Sequence, residues 1–345
     1  MENQTLVKNF ILLGFTDVQK YQGLLFFILL VTYILTIMGN IVIITIIVLD
    51  HRLQTPMYYF LWNFSLLEIG FTSTVIPKAL FNLASGNRTI SIPGCFVQVF
   101  LYFVFGTIEF LLLAVMSFDR YVAICHPLSY TTIMNERVCK ILVLSSWMSG
   151  FLILIGPSLV VFQLPFCGQN IINHFFCDNG PLIKLACADT RLLGLVDFTI
   201  AVFSLLGTFT VTILSYARII STVLNIPSAS GRQKAFSTCI SHLTVVSITY
   251  SSCIFMYIKP MGSSGLDLSK GVSILNTVVS PLLNPFIYSL RNKQVQEAFK
   301  DLIKHIVMIT ILFSIHCISV DLSLSSSIIK SLNLYSHIAS PFLDT

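Results

Sequence analysis

The chain of 345 residues is 55% hydrophobic and 10% charged, with a formal net charge of +5. Soluble domains average about 25% charged residues, so this composition excludes an ordinary soluble protein. At about 20 apolar residues per membrane helix, the chain has room for about seven helices with short loops and no separate soluble domain. The modest positive charge asks for no nucleic-acid partner, because basic residues at membrane ends account for it.

In chain order, an N-terminal arm over 1–22 carries the glycosylation sequon Asn3-Gln4-Thr5 and a short apolar patch after Lys8. No basic start with a small-residue cleavage site follows, so the first membrane helix is expected to target the chain. Helix one is predicted at 23–49, with Asn40 beside Gly39. An amide in lipid needs a partner, so Asn40 should face other helices. After the polar turn Asp50-His51-Arg52, helix two is predicted at 56–83, with Pro56 in its first turn and Glu68 near its middle. A proline is harmless there because that N–H has no helical partner. Pro77 and Lys78 mark a kink or an exit. The sequon Asn87-Arg88-Thr89 falls in a short loop close to the bilayer, and Asn63-Phe64-Ser65 lies inside an apolar run as a chance match.

Helix three is predicted at 92–126; it carries Glu109 at mid-depth and ends on Asp119-Arg120-Tyr121 before Pro127. Helix four is predicted at 138–161, helix five at 192–224, helix six at 233–258 and helix seven at 268–290, the last interrupted by Pro281 and Pro285. In 293–303, Val295, Phe299, Leu302 and Ile303 recur at helical spacing among charges. That pattern predicts a short amphipathic eighth helix along the inner membrane surface. The tail over 304–345 holds an apolar stretch, 306–320, broken by His316 and too short to span; it is expected to be weakly ordered. The fold class expected is an all-α seven-helix membrane bundle with that eighth helix appended.

Placing Lys and Arg at 52, 120, 137, 140, 218, 232, 234, 291, 293, 300, 304 and 330 inside, and at 8, 20, 78, 88, 184, 191, 259 and 270 outside, puts twelve against eight. That bias favours an outer N-terminus. Four cysteines, Cys95, Cys167, Cys177 and Cys187, sit among polar residues between or beside the apolar segments. They fit an oxidising exterior, and four cysteines allow three pairings. Cys125, Cys139, Cys239, Cys253 and Cys317 fall in or near helices as buried thiols.

Two charged groupings call for chemistry. Asp119-Arg120 places an ion pair at the end of an apolar helix, where charge is costly; it reads either as a switch at the cytosolic boundary or as a snorkelling anchor. Glu68 and Glu109 are two carboxylates at mid-depth, too costly to stand bare and ionised; they can share a proton or a cation. His174 near Cys177 reads either as part of a metal site or as a structural residue, and a lone loop histidine is more often the latter. No HExxH, GxSxG or phosphate-binding loop is present, so no enzyme is expected.

The words around Arg120 carry a resemblance. Met116-Ser117-Phe118-Asp119-Arg120-Tyr121-Val122-Ala123-Ile124-Cys125-His126-Pro127-Leu128-Ser129-Tyr130 is similar to the MAYDRYVAICxPLxY signature of olfactory receptors, a branch of the rhodopsin-like (class A) G-protein-coupled receptors; Ser117 and Phe118 depart from it. Gly39-Asn40, Pro56-Met57-Tyr58-Tyr59-Phe60-Leu61, Lys234-Ala235-Phe236-Ser237-Thr238-Cys239-Ile240-Ser241-His242-Leu243 and Pro281-Leu282-Leu283-Asn284-Pro285-Phe286-Ile287-Tyr288-Ser289-Leu290-Arg291-Asn292 match in the same order. The resemblance covers 1–303, and the tail beyond has no counterpart in these motifs.

The resemblance implies a plasma-membrane receptor, N-terminus outside, that binds a small odorant and raises cyclic AMP through a stimulatory, olfactory-type heterotrimeric G protein. It implies the pairings Cys95–Cys177 and Cys167–Cys187. It implies a ligand site lined by Tyr102, Phe103, Gly106 and Thr107 on helix three, Ile200, Ala201 and Ser204 on helix five, and Tyr250, Cys253, Ile254 and Tyr257 on helix six. Such a lining suits a mostly apolar ligand. The lack of an acid at Tyr102 disfavours a simple amine of the aminergic kind. The implied switch comprises Asp119, Arg120, Tyr121, Tyr216, His242, Asn284, Pro285 and Tyr288. A sodium-like site is implied at Glu68 and Glu109, with Asn284 as a further ligand; the family more often has Asp where Glu68 stands. The rival reading is an ion-conducting or transporting protein using Glu68 and Glu109. Transporters often show an internal repeat, and none is visible.

Overall fold

The computed structural model describes residues 8–14, 21–167, 170–258, 270–291, 294–305 and 307–308; side chains at 234, 237–238, 256–258 and 289–291 are outside that description. Asn3, the side chain of Tyr257 and the tail from 309 therefore lie outside the described residues. The chain divides into two units, 1–293 and 294–345.

The first unit begins with β1 (Asn9–Leu12), then α1 (Gln22–Leu49), α2 (Pro56–Ser85), β2 (Thr89–Ser91), α3 (Ile92–Cys125) and α4 (Glu136–Phe162). It continues with β3 (Ile171–Ile172), α5 (Arg191–Leu224), α6 (Ala229–Ile258) and α7 (residues 270–291). Among the described residues six helices are long and apolar enough to cross a membrane, and α6 contributes the shorter apolar stretch Cys239–Phe255. The 28 residues of α1 span about 42 Å at 1.5 Å per residue, more than the roughly 30 Å hydrocarbon core. Exposed Leu24, Phe27, Ile41, Leu144, Leu152, Phe203 and Leu214 are the lipid-facing counterpart of that composition, since a soluble monomer rarely displays so much apolar surface.

Capping explains where several helices start. Ser91 Oγ accepts from Gly94 N at 3.2 Å at the head of α3, and Asn135 Oδ1 accepts from Val138 N at 3.0 Å at the head of α4. Asn135 thereby sets α4 two residues earlier than its apolar run. Ser228 Oγ accepts from Gly231 N at 3.2 Å, and α6 begins at Ala229 rather than 233. Its first turns are polar and so invisible to a search for apolar residues. In each case the side-chain oxygen satisfies an N–H that the helix cannot. In α7 a π-helical turn, Leu275–Val279, precedes Pro281. Proline removes a donor from the ladder, and single π turns commonly absorb such local mismatch.

α3 is the central helix, packing against α2, α4, α5 and α6. Close approach depends on small residues, as in membrane bundles generally. A Cβ on Gly150 would clash with Ile108 Cγ1, and one on Gly39 would stand 3.0 Å from Pro285 Cβ. Asn40 is buried and donates to Thr36 O at 3.1 Å, so its amide is satisfied inside the bundle.

One end of the bundle carries a three-stranded sheet in the order β2-β1-β3. β1 runs antiparallel to β2, with Phe10 opposite Ile90, and parallel to β3, with Leu12 opposite Ile172. Alternation sends Phe10 and Leu12 into a cluster with Cys95, Phe96, Val161 and Cys177. The Cys95–Cys177 disulfide sits there, and Cys167–Cys187 closes a smaller loop. In the chain-entropy account, closing 82 residues is worth about 4.5 kcal/mol and closing 20 about 3. The first bridge therefore contributes more. Lys270 at the start of α7 donates to Gly14 O at 3.2 Å, tying the arm to the bundle.

The second unit holds α8 (residues 294–305). Val295 and Ala298 are its buried positions, Phe299 and Ile303 are exposed, and Lys304 pairs with Asp301 at 3.8 Å.

Gly150→Ala should lower surface expression and thermal stability, by about 1–3 kcal/mol of overpacking. Adding Ile108→Ala should restore much of the loss. Measured melting temperatures of the single and double variants check this; no rescue contradicts the contact.

Candidate functional site

Below the sheet lies a cavity of about 680 Å³ between α3, α4, α5, α6 and α7. Ligand pockets range over roughly 300–1,000 Å³. Tyr102, Phe103, Gly106 and Thr107 line it from α3, Ile200, Ala201 and Ser204 from α5, and Cys253 from α6. Gly106 has open space where a Cβ would stand, which enlarges the hollow. Phe176, from the loop pinned by Cys177, packs on Tyr102 with ring centroids 4.7 Å apart and also lines the cavity.

Two of the expected lining residues are corrected. Tyr250 is 2% exposed and packs between Phe110 and Phe209, with centroids at 5.3 and 5.1 Å, and Ile254 is not among the lining residues. The face of α6 turned to the cavity carries Thr249 and Cys253, one turn apart. Tyr250 and Ile254 each follow by one residue, about 100° round the helix. Lining residues that the motifs did not indicate include Glu109, Thr249, Asn276 and Ser280. A mid-helix acid and hydroxyls on facing helices were their only sequence signal.

Under the cavity the polar groups sort into two sets. Asn284 Nδ2 on α7 donates to Glu68 Oε1 on α2, and Glu68 is 3% exposed. Thr249 Oγ1 donates to Glu109 Oε1 at 3.4 Å. The expected carboxylate pair therefore engages different partners. Glu68 Oε2 and Asn284 Oδ1 are buried with no hydrogen-bond partner. Two such oxygens are the donors that hard cations take, so Glu68 and Asn284 fit a sodium ion better than the pair Glu68 and Glu109. Among the described residues no group of three or more His, Cys, Asp or Glu could hold a metal.

At the far end of α3, Arg120 Nε donates to Asp119 Oδ2 at 3.0 Å, with a second, shorter bond from Nη2. Tyr130 Oη donates to Asp119 Oδ1 at 2.8 Å. Asp119 is 1% exposed and Arg120 7%. Burial and the Asp119 carboxylate push the Tyr130 hydroxyl above its ordinary range, so it keeps its proton and donates. Tyr216 Oη on α5 and His242 Nδ1 on α6 are hydrogen-bonded at 2.7 Å. Tyr121 is hydrogen-bonded to His126 at 3.1 Å, away from the ion pair. Tyr288 on α7 is buried, and its hydroxyl has no hydrogen-bond partner. Pro285 meets Gly39.

A seven-helix bundle thus holds a pinned loop over a central cavity, with a buried Asp-Arg pair at the far end of α3. The decisive comparison is with family models: residues 29–335 match the one described as olfactory receptor. The chain belongs to the olfactory receptor family. The receptor is 60% identical to mouse (Mus musculus) Olfactory receptor 6E1 over 302 residues, 87% of this chain and 96% of that protein. It is 55% identical to human (Homo sapiens) Olfactory receptor 6C75 over 307 residues, 89% of this chain and 98% of that protein. In fold it is similar to squid rhodopsin, with a TM-score of 0.65 at 18% identity, covering 83% of this chain and 80% of that one. The family match runs past residue 303, where the motifs end, and so takes in most of the tail. The receptor is thus a multi-pass G-protein-coupled odorant receptor and not an enzyme.

Ala201→Trp should fill the cavity and raise the half-maximal concentration of an activating odorant by about tenfold or more, equivalent to about 1.4 kcal/mol. Ile254→Trp should have little effect. Dose–response curves at matched surface expression check this, and equal losses contradict the assignment of the α6 face.

Proposed function

We propose that the receptor holds a small, mostly apolar odorant in the cavity and activates a stimulatory, olfactory-type G protein that raises cyclic AMP. It does so at the plasma membrane, with the β1 end outside and the Arg120 end in the cytosol. The observation that carries this reading is the buried Asp119–Arg120–Tyr130 cluster at the end of the same helix, α3, that lines the cavity.

In the resting state Asp119 neutralises Arg120. Ligand binding favours an arrangement in which α6 moves outward, Tyr216 leaves His242, and Arg120 turns to Tyr216 and the G protein. Tyr288, with its unpaired hydroxyl, swings toward the same space, and the helix interruption at Pro285 supplies the bend. A ligand shifts this equilibrium only by its differential affinity for the two states. Moving it from about 1:99 to about 99:1 takes roughly 5.5 kcal/mol.

Glu68 and Asn284 would hold a sodium ion when one is bound. Its positive charge would offset the buried carboxylate and favour the resting packing of α2 on α7. Asn3 carries the glycan expected of the outer arm.

The test is cyclic AMP in cells expressing the receptor and challenged with an odorant panel. The wild type should respond to at least one odorant, and Arg120→Ala at matched surface expression should lose the response. Ion flux with no G-protein response would overturn the proposal in favour of a conducting protein.

A further inference from the structure

The walls of the cavity are uneven. Its roof is tight: Phe96, Val99 and Val161 line it and belong to the cluster under the sheet, in which Phe10, Leu12, Cys95 and Cys177 are at most 1% exposed. Where the loop meets α5, Asn179 Nδ2 donates to Asp197 Oδ2 at 2.7 Å. The side between α4 and α5 is different. The buried positions of α5 run from Leu205 to Val223, and none of the described residues 191–204 is buried. That outer stretch spans about 20 Å at 1.5 Å per residue, more than one leaflet of a hydrocarbon core of roughly 30 Å. Leu159 on α4 and Phe198 on α5 are each 56% exposed, and both line the cavity. A side chain touches lipid and hollow together only where the wall between them is one residue thick or open. Gly194 adds to the gap: it is exposed, it lines the cavity, and a Cβ there would meet nothing within 4 Å. Ser158 and Ala201, both small and half-buried, line the cavity from the two facing helices.

We propose that the cavity opens sideways into the bilayer through a portal between α4 and the outer half of α5, rimmed by Ser158, Leu159, Gly194, Phe198 and Ala201, and that it takes its ligand from the lipid. The ligand's route rests on the reading of the cavity as the odorant site. The occupant of the portal is an apolar molecule dissolved among the acyl chains. Each CH₂ moved from water to an apolar phase concentrates such a molecule there by about fourfold, so the portal meets far more ligand than the roof does. The sheet and the bond from Asn179 to Asp197 keep the watery side shut. The outer half of α5, held by few buried contacts, is the side that can give way; regions with few buried apolar contacts open at low cost.

The experiment uses the full-length receptor in phosphatidylcholine nanodiscs with two photoprobes, a diazirine fixed on a lipid acyl chain and a free trifluoromethyl phenyl diazirine. Insertion at Gly106 and Thr107, inside the cavity, is mapped by mass spectrometry and divided by insertion at Leu24 and Phe27, which face lipid. The tethered probe can arrive only through the bilayer, and it should label Gly106 and Thr107 in the wild type. Gly194→Trp, which plugs the portal, should lower that ratio by about tenfold or more, equivalent to about 1.4 kcal/mol. Phe198→Ala, which widens the portal, should raise it severalfold. With the free probe, photolysed at increasing times after mixing, Gly194→Trp should slow labelling of Gly106 and Thr107 by about tenfold and leave the final extent near that of the wild type. No insertion of the tethered probe inside the wild-type cavity overturns the proposal. So do equal time courses of the free probe in wild type and Gly194→Trp, because the ligand would then enter from water. Phe198→Ala is expected to gain label inside relative to outside, so the tethered-probe result stands even where Gly194→Trp folds poorly. No G protein takes part; a receptor labelled as expected that raises no cyclic AMP contradicts the proposed coupling and leaves the portal standing.

Discussion

A charged pair in a hydrocarbon environment survives only if its charges are matched inside the protein. Asp119 and Arg120 meet that condition at the end of α3: the guanidinium donates twice to one carboxylate oxygen, and Tyr130 donates to the other. Removing any one partner would leave an uncompensated buried group. The pair therefore engages more than its own helix, because Tyr130 belongs to the connection toward α4. The rest of the bundle is arranged so that this site can exist in lipid, with small residues allowing α3 to sit close to its neighbours.

The same rule shapes the middle of the molecule. Glu68 and Asn284 join α2 to α7, while Glu109 and Thr249 join α3 to α6. These are helix-to-helix links across the interior, each with a carboxylate that must be satisfied. The cavity rests on the second of them. A ligand that touches Glu109 therefore touches the α3–α6 contact directly, with no long relay needed between binding and the helix that the proposal moves. The sheet over the opposite end, with the Cys95–Cys177 bridge at its centre, holds the cavity wall in place through Phe176.

Much of this was legible in residues. α1 to α5 follow from apolar runs of spanning length, and the four loop cysteines with the family motifs indicated both bridges. Helix starts were less so: the polar first turns of α6 and the cap at Asn135 lie outside any hydropathy signal. β1 escaped because a four-residue strand is defined by its partners, β2 and β3, which are far away in sequence. The misplacement of Tyr250 and Ile254 is a phase error of one residue on α6, and a single residue turns a side chain about 100°. Glu68 and Glu109 were seen as a pair because both are mid-depth acids. Their separate partners depend on side-chain packing that spacing alone does not encode.

The most direct test is the separation between the inner ends of α4 and α6, measured by pulsed electron spin resonance with labels at Arg137 and Gln233 in a background without reactive native cysteines. The account predicts a single short-separation population in the ligand-free receptor and a shift toward longer separations in Asp119→Asn, with no ligand added. An unchanged distribution in that variant would contradict the claim that the Asp119–Arg120 pair holds the bundle closed.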